Sequence, residues 1–325
     1  MIVMKLDNID KIKNRTICFS IIVTEHCNCN CEYCHFYLEH GNRTYKYCIS
    51  DNLLEQYIGL IKYFKETLHQ SVQVRFSGGE PLILGNKLFD ISRRVYNRLN
   101  VRPYILTNGK LLNENLLEKA LAANIDKFIV SFENPLKVDE NATNPYENMI
   151  KFNNLKKYDM LLPGVMLISN DMFTRLSEIC DIFYESIERI PIISEISFKA
   201  YTPPKEREID ALYDNVKAMV NKYYLKEPLQ LFPYITPEIA YNYDYKYVID
   251  LDANNRFGLK NDNFDVVAKK IYDKISEIYI NDFCDNQNCE WYDACQHIRK
   301  FWSDKMQDYC KLKKAISNGF LDAIV

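Results

Sequence analysis

Six short runs rich in β-branched and apolar residues punctuate the first two thirds of the chain: residues 16–24 (TICFSIIVT), 72–76 (VQVRF), 103–107 (PYILT), 127–132 (KFIVSF), 164–168 (GVMLI) and 193–198 (ISEISF). Each has the composition of a strand. Between them lie helical patterns. Ser50 is placed to cap a stripe of Leu53, Leu54, Tyr57, Ile58, Ile61 and Phe64, and Asn113 precedes one of Leu116, Leu117, Ala120 and Leu121. A third stripe runs through Leu176, Ile179, Cys180, Phe183 and Ile187. Strands alternating with helices form βαβ units, whose crossovers all turn the same way and build a parallel sheet covered by helices. The chain is therefore expected to be α/β, a partial (β/α)6 barrel short of closure.

The alternation stops near residue 224. A tyrosine- and proline-rich segment, YYLKEPLQLFPYITPEIAYNYDYKY, follows; it reads as packing between domains, with a groove for a peptide as the alternative. YVIDLDANNRFGL then reads as a hairpin turning at residues 252–255, and a helical stripe of Val267, Ile271, Ile275 and Ile278 leads to a cysteine-rich end. We expect residues 1–224 to be the barrel and residues 225–325 a small Cys-rich C-terminal extension.

Of the 325 residues, 47% are hydrophobic, enough for one large core with an appendage. A formal net charge of −3 without any basic block argues against electrostatic capture of nucleic acid or of an anionic membrane. The N-terminal stretch MIVMKLDNIDKIKNR lacks a signal-peptide pattern, and no apolar run is long enough to span a bilayer. The expected location is the cytoplasm. There, eleven cysteines point to metal rather than disulfides. They fall into two groups, residues 27–34 and residues 284–310, with Cys18, Cys48 and Cys180 scattered. Cys18 and Cys180 lie in apolar patterns and read as core.

The loop after the first strand holds Cys27-x3-Cys31-x2-Cys34, with Cys29 inside the longer gap. A structural zinc site takes four protein ligands, often as two CxxC pairs, a pattern this triplet does not follow. Three thiolates on so short a loop suit three irons of a 4Fe-4S cluster, which leaves the fourth iron open to a small molecule. This loop, with Tyr33 before its last cysteine, resembles the signature of radical S-adenosylmethionine (SAM) enzymes. FSGGEPLI after the second strand, ILTNGKLL after the third and VSFENP after the fourth resemble further motifs of that family, in the same order. The resemblance covers roughly residues 16 to 200.

It implies that Cys27, Cys31 and Cys34 hold the cluster and that Gly78, Gly79 and Glu80 receive the amino group of SAM. Tyr33 would flank the adenine and Ser131 would contact the ribose. Cys29 does not fit the spacing and is read as a bystander able to substitute for a neighbour. His26, His35 and His40 crowd the same loop without a ligand role.

Near the C-terminus, Cys284-x4-Cys289-x5-Cys295-x14-Cys310 resembles the SPASM extension of that family, or its shorter Twitch form, which carry auxiliary iron-sulfur clusters. The Cys-x5-Cys step matches. Other spacings depart, and Gly258 and Leu259 stand where a further cysteine follows the hairpin turn in the family. One auxiliary 4Fe-4S cluster on Cys284, Cys289, Cys295 and Cys310 is expected, with a zinc staple as the alternative.

The function these resemblances imply is generation of a 5'-deoxyadenosyl radical from SAM. The cluster would draw its electron from a flavodoxin- or ferredoxin-type donor. A SPASM-like extension points to a ribosomally made peptide or protein as substrate, modified by crosslinking, thioether formation, epimerisation or oxidation. Only about fifteen residues precede the first strand. Leader recognition by a small N-terminal domain is thus not expected. Two alternatives are Twitch-type oxidation of a small molecule such as an amino sugar alcohol, and a non-catalytic metal-binding or redox-sensing protein.

Overall fold

The structure is a computed structural model that describes residues 15–31, 34, 47–138, 143–167, 172, 174–196, 205–223, 246–252, 255–260, 263–276 and isolated positions between 311 and 323. Tyr33, Ile278, the tyrosine-rich stretch at 224–245 and Cys284, Cys289, Cys295 and Cys310 lie outside the described residues.

Every one of the six expected strands forms: β1 (Thr16–Thr24), β2 (Val72–Gly78), β3 (Tyr104–Thr107), β4 (Phe128–Phe132), β5 (Leu161–Leu167) and β6 (Ile192–Ile196). Helices return the chain between them. These are α1 (Asp51–Lys62), α2 (Asn86–Leu99), α3 (Glu114–Ala122), α4 (Pro145–Leu155) and α5 (Leu176–Ile187), with α6 (Glu206–Tyr223) after β6. The two expected caps are present: Ser50 accepts from the Leu53 N–H and Asn113 from the Leu116 N–H. All neighbouring strands pair in parallel in the order β6-β5-β4-β3-β2-β1, an open sheet of the partial-barrel kind.

The hairpin expected after residue 246 does not form. Lys246–Leu251 is a seventh strand, β7, which runs parallel to β1 on the outer side of the sheet, with Thr16 beside Lys246 and Ile21 beside Leu251. Turn chemistry was read correctly and chain direction was not. Asn255 donates its N–H to the Asp252 carbonyl at 3.2 Å, and Gly258, at φ +66°, donates to the Asn255 carbonyl at 2.7 Å. These two turns lead forward into α7 (Phe264–Ile275) instead of back along the strand.

Alternation along each strand separates two faces. Ile17, Phe19, Ile21 and Val23 of β1, with Phe128, Val130 and Phe132 of β4, are buried beneath the helices. Phe19 meets Phe64 edge-on at 5.1 Å, and Phe132 meets Phe183 at 5.0 Å. The opposite, inner face is mixed, with polar groups among apolar ones such as Ile22, Leu106 and Ile129. Ser20 bonds Ser77 at 2.8 Å, Cys18 bonds Tyr104 at 3.2 Å, and Arg75 of β2 reaches over β1 to Asp250 of β7 at 3.6 Å. A closed barrel of this kind fills its centre with Val, Ile and Leu. Here part of the inner wall is polar.

Candidate active site

The cysteine loop leaves the carboxyl end of β1, where ligands of open parallel sheets collect. It is gripped from two sides. On one, Glu25 N–H bonds the Tyr47 carbonyl at 3.0 Å and Ile49 N–H bonds the Val23 carbonyl at 2.9 Å. On the other, the end of β2 ties it down: Gly79 N–H bonds the Thr24 carbonyl at 2.8 Å and Glu80 N–H bonds the His26 carbonyl at 2.6 Å. A Cβ at Gly78, where φ is +143°, would lie 2.0 Å from the Thr24 oxygen, and one at Gly79 would lie 2.2 Å from the His26 oxygen. Both glycines are needed because the cysteine loop occupies the space a side chain would take.

Glu80 is fully buried. Its carboxylate accepts from Leu82 N–H at 3.0 Å, from the Thr107 hydroxyl at 2.9 Å and from Asn108 N–H at 2.7 Å. Burial pushes this carboxyl up to about 7, against the downward pull of those three donors. In this arrangement Glu80 fastens the turn after β2 to the Thr107–Asn108–Gly109 turn after β3. The main chain of Gly78 and Gly79 is the part of the motif beside the cysteine loop.

The turn after β3 reaches the loop in its own right. Asn108 donates its side-chain amide to Asn28 Oδ1 at 2.7 Å, to Cys29 Sγ at 3.3 Å and to Cys27 Sγ at 3.8 Å. Gly109, at φ +78°, has the Asn148 amide nitrogen 2.8 Å from where its Cβ would be.

Cys27 is exposed, and Cys29, Cys31 and Cys34 are half-buried. Cys34 N–H bonds the Cys31 carbonyl at 3.2 Å, which brings the last cysteine round toward the others. Cys29 Sγ bonds Thr143 Oγ1 at 3.2 Å. The hydrogen bond between the Cys27 and Cys29 thiols pushes Cys27 up and Cys29 down. Cys29, read from the sequence as a bystander, is thus in contact with the thiols around it. Among the described residues no three His, Cys, Asp or Glu side chains converge on one point as a finished metal site. The donor chemistry fits an iron-sulfur cluster: several thiols on one short loop at the open end of the sheet, beside backbone that holds the loop in place.

Ser131 is exposed and alternates with the buried Val130 and Phe132, which puts it on the inner face of β4. Two residues on, Glu133 accepts a hydrogen bond from Cys31 Sγ at 3.8 Å. Glu133 is not among the residues the sequence motifs single out, although its place in VSFENP, second after the serine, is the available signal. Tyr33 lies outside the described residues.

Residues 21–157 match the Radical SAM superfamily. A SAM-dependent nucleotide dehydratase of Pseudoalteromonas ulvae is 33% identical over 119 residues, covering 34% of this chain and 38% of that protein. A probable GTP 3',8-cyclase of Methanococcus aeolicus is 32% identical over 116 residues, 35% of this chain and 36% of that protein. The chain thus spans only 38% and 36% of these two curated relatives. Among solved structures, anSMEcpe with bound AdoMet superposes with a TM-score of 0.64 at 14% identity, over 95% of this chain and 98% of that one. SuiB of Streptococcus suis bound to SAM gives 0.52 at 12% identity, over 93% of this chain and 75% of that one. At such identities the likeness is one of fold.

Proposed function

We propose that the protein is a radical SAM enzyme acting on a ribosomally made peptide or protein. The observation that carries the radical SAM reading is the three-way junction at the carboxyl end of β1, β2 and β3. There the cysteine loop, the Gly78–Gly79–Glu80 turn and the Thr107–Asn108–Gly109 turn are bonded to one another by short main-chain and side-chain contacts. Cys27, Cys31 and Cys34 would hold a 4Fe-4S cluster, which would supply the one electron needed for reductive cleavage of SAM to methionine and a 5'-deoxyadenosyl radical.

The residues around it have positioning roles. The Gly78–Gly79 main chain and Glu80 set the edge against which the ammonium group of SAM rests. Ser131, exposed on the inner wall, would bond the ribose, and Tyr33, by the resemblance of its motif, would flank the adenine. The inner face of the sheet receives the substrate and keeps it oriented toward the radical. Electrons come from a flavodoxin- or ferredoxin-type protein.

The peptide part of the proposal rests on the SPASM-like spacing of Cys284, Cys289, Cys295 and Cys310 in an extension beginning near residue 225. Within that extension, β7 pairs with β1. A second reading, a small-molecule substrate, is favoured by the two sequence relatives, whose names place them in nucleotide chemistry.

The first test is anaerobic incubation of reconstituted protein with SAM and dithionite. It should yield 5'-deoxyadenosine, and a Cys31→Ala variant should lose at least about nine tenths of that product, since the thiolate ligands are required for the cluster. No 5'-deoxyadenosine from the natural protein, with iron and sulfide present, would overturn the proposal.

A further inference from the structure

Asn108 is held by every polar atom it owns. Its N–H bonds Glu80 Oε2 at 2.7 Å, its carbonyl accepts from Asn148 Nδ2 at 2.8 Å, and its side-chain oxygen accepts from Lys110 N–H at 3.0 Å. The last contact fixes which way the amide faces. Turning it over would set an NH2 group against the Lys110 N–H and an oxygen against sulfur, losing both interactions at once. The remaining group, Nδ2, is therefore directed at the cysteine loop, 3.3 Å from Cys29 Sγ, 3.8 Å from Cys27 Sγ and 2.7 Å from Asn28 Oδ1. Its neighbours add to the constraint: Asn148 is 2% exposed and Glu80 fully buried.

From this geometry we propose that Asn108 is a redox-tuning residue, an N–H donor to the sulfur of the Cys27 edge of the cluster that raises its reduction potential. The inference rests on the proposed cluster at Cys27, Cys31 and Cys34 and goes beyond it by assigning the control of its potential to one side chain. Reduction adds one electron, whose charge is spread over iron and sulfur. A hydrogen bond to sulfur stabilises the more negative state more than the oxidised one. The electron balance is simple: one electron enters from the external donor and no proton moves. A higher potential eases that transfer.

The test is an EPR-monitored redox titration of the reconstituted full-length protein without SAM, comparing the natural chain with Asn108→Ala and Asn28→Ala. Asn28 takes a hydrogen bond from the same amide through its own side chain, so it separates loop positioning from the bond to sulfur. The expected result is a more negative midpoint for Asn108→Ala. The ratio of reduced to oxidised cluster at fixed potential should fall about tenfold, or roughly 59 mV for a one-electron couple, while Asn28→Ala stays close to the natural value. Should Asn108→Ala fail to take up iron, Asn108→Asp keeps the acceptor for Lys110 and replaces the donor with a negative charge. Its midpoint should drop further still. An unshifted midpoint in an iron-loaded Asn108 variant, or an equal shift in Asn28→Ala, overturns this inference and leaves the proposed function standing. A natural protein that assembles no 4Fe-4S cluster removes both.

Discussion

Gly79 has no room for even a methyl group, because the His26 carbonyl oxygen stands 2.2 Å from where its Cβ would be. The sequence shows two adjacent glycines before a carboxylate, and the readiest explanation is close approach of a ligand. The structure puts the protein's own cysteine loop there first. Which atoms fill a glycine's empty side cannot be read from a motif, because the loop comes from another strand's end some fifty residues earlier. The same holds for Glu80, whose type and position were legible but whose burial among donors from two turns was not. Replacement of Gly79 by alanine must push the loop aside, an overpacking cost of about 1–3 kcal/mol. Iron uptake should fall with it. Gly85→Ala is the comparison: φ there is +55° with nothing within 4 Å, so it strains the backbone without touching the loop. We expect similar losses of thermal stability in the two variants but a drop in iron per chain only for Gly79→Ala. Equal iron in both would show that the close approach does not hold the cysteines in place.

Among the elements, the ones that local chemistry fixes were legible. Ser50 and Asn113 cap α1 and α3 as expected, and the β-branched runs become β1 to β6 because their apolar residues alternate or run together in the way a half-buried or buried strand requires. β7 was not legible. Its period-two pattern, Val248 and Asp250 against Ile249 and Leu251, identifies a strand but carries no information about a partner more than two hundred residues away. A nearby turn made an antiparallel return look natural, yet Ile249 (3% exposed) and Leu251 (1%) are buried in the same helix-covered core as β1's Ile17 and Phe19. Ile249→Ala should therefore behave as a core truncation and cost about 2–5 kcal/mol in chemical denaturation. A loss under about half a kcal/mol, the level typical of a surface change, would mean that β7 does not join the core of the sheet.

At the scale of the whole molecule, the two cysteine groups ask different things of the chain. The first sits on a loop held by three strand ends, and the alternation of strands and helices was enough to anticipate that place, since ligands gather at the carboxyl ends of parallel strands. The second, Cys284 to Cys310, lies outside the described residues, and its spacing alone supports either an auxiliary cluster or a zinc staple. Ligand chemistry separates them. A zinc staple has no redox role, whereas a fully ligated 4Fe-4S cluster carries electrons and holds four more irons. Anaerobic reconstitution followed by iron, sulfide and zinc analysis of the natural protein and of a Cys289→Ala, Cys295→Ala double variant therefore decides the matter. We expect about eight irons per chain falling to about four, with 5'-deoxyadenosine formation persisting in the variant because the first cluster is untouched. About four irons in both, with zinc lost from the variant, would make the C-terminal cysteines a structural clip. The argument for a peptide substrate would then lose its support, and the small-molecule reading would take its place.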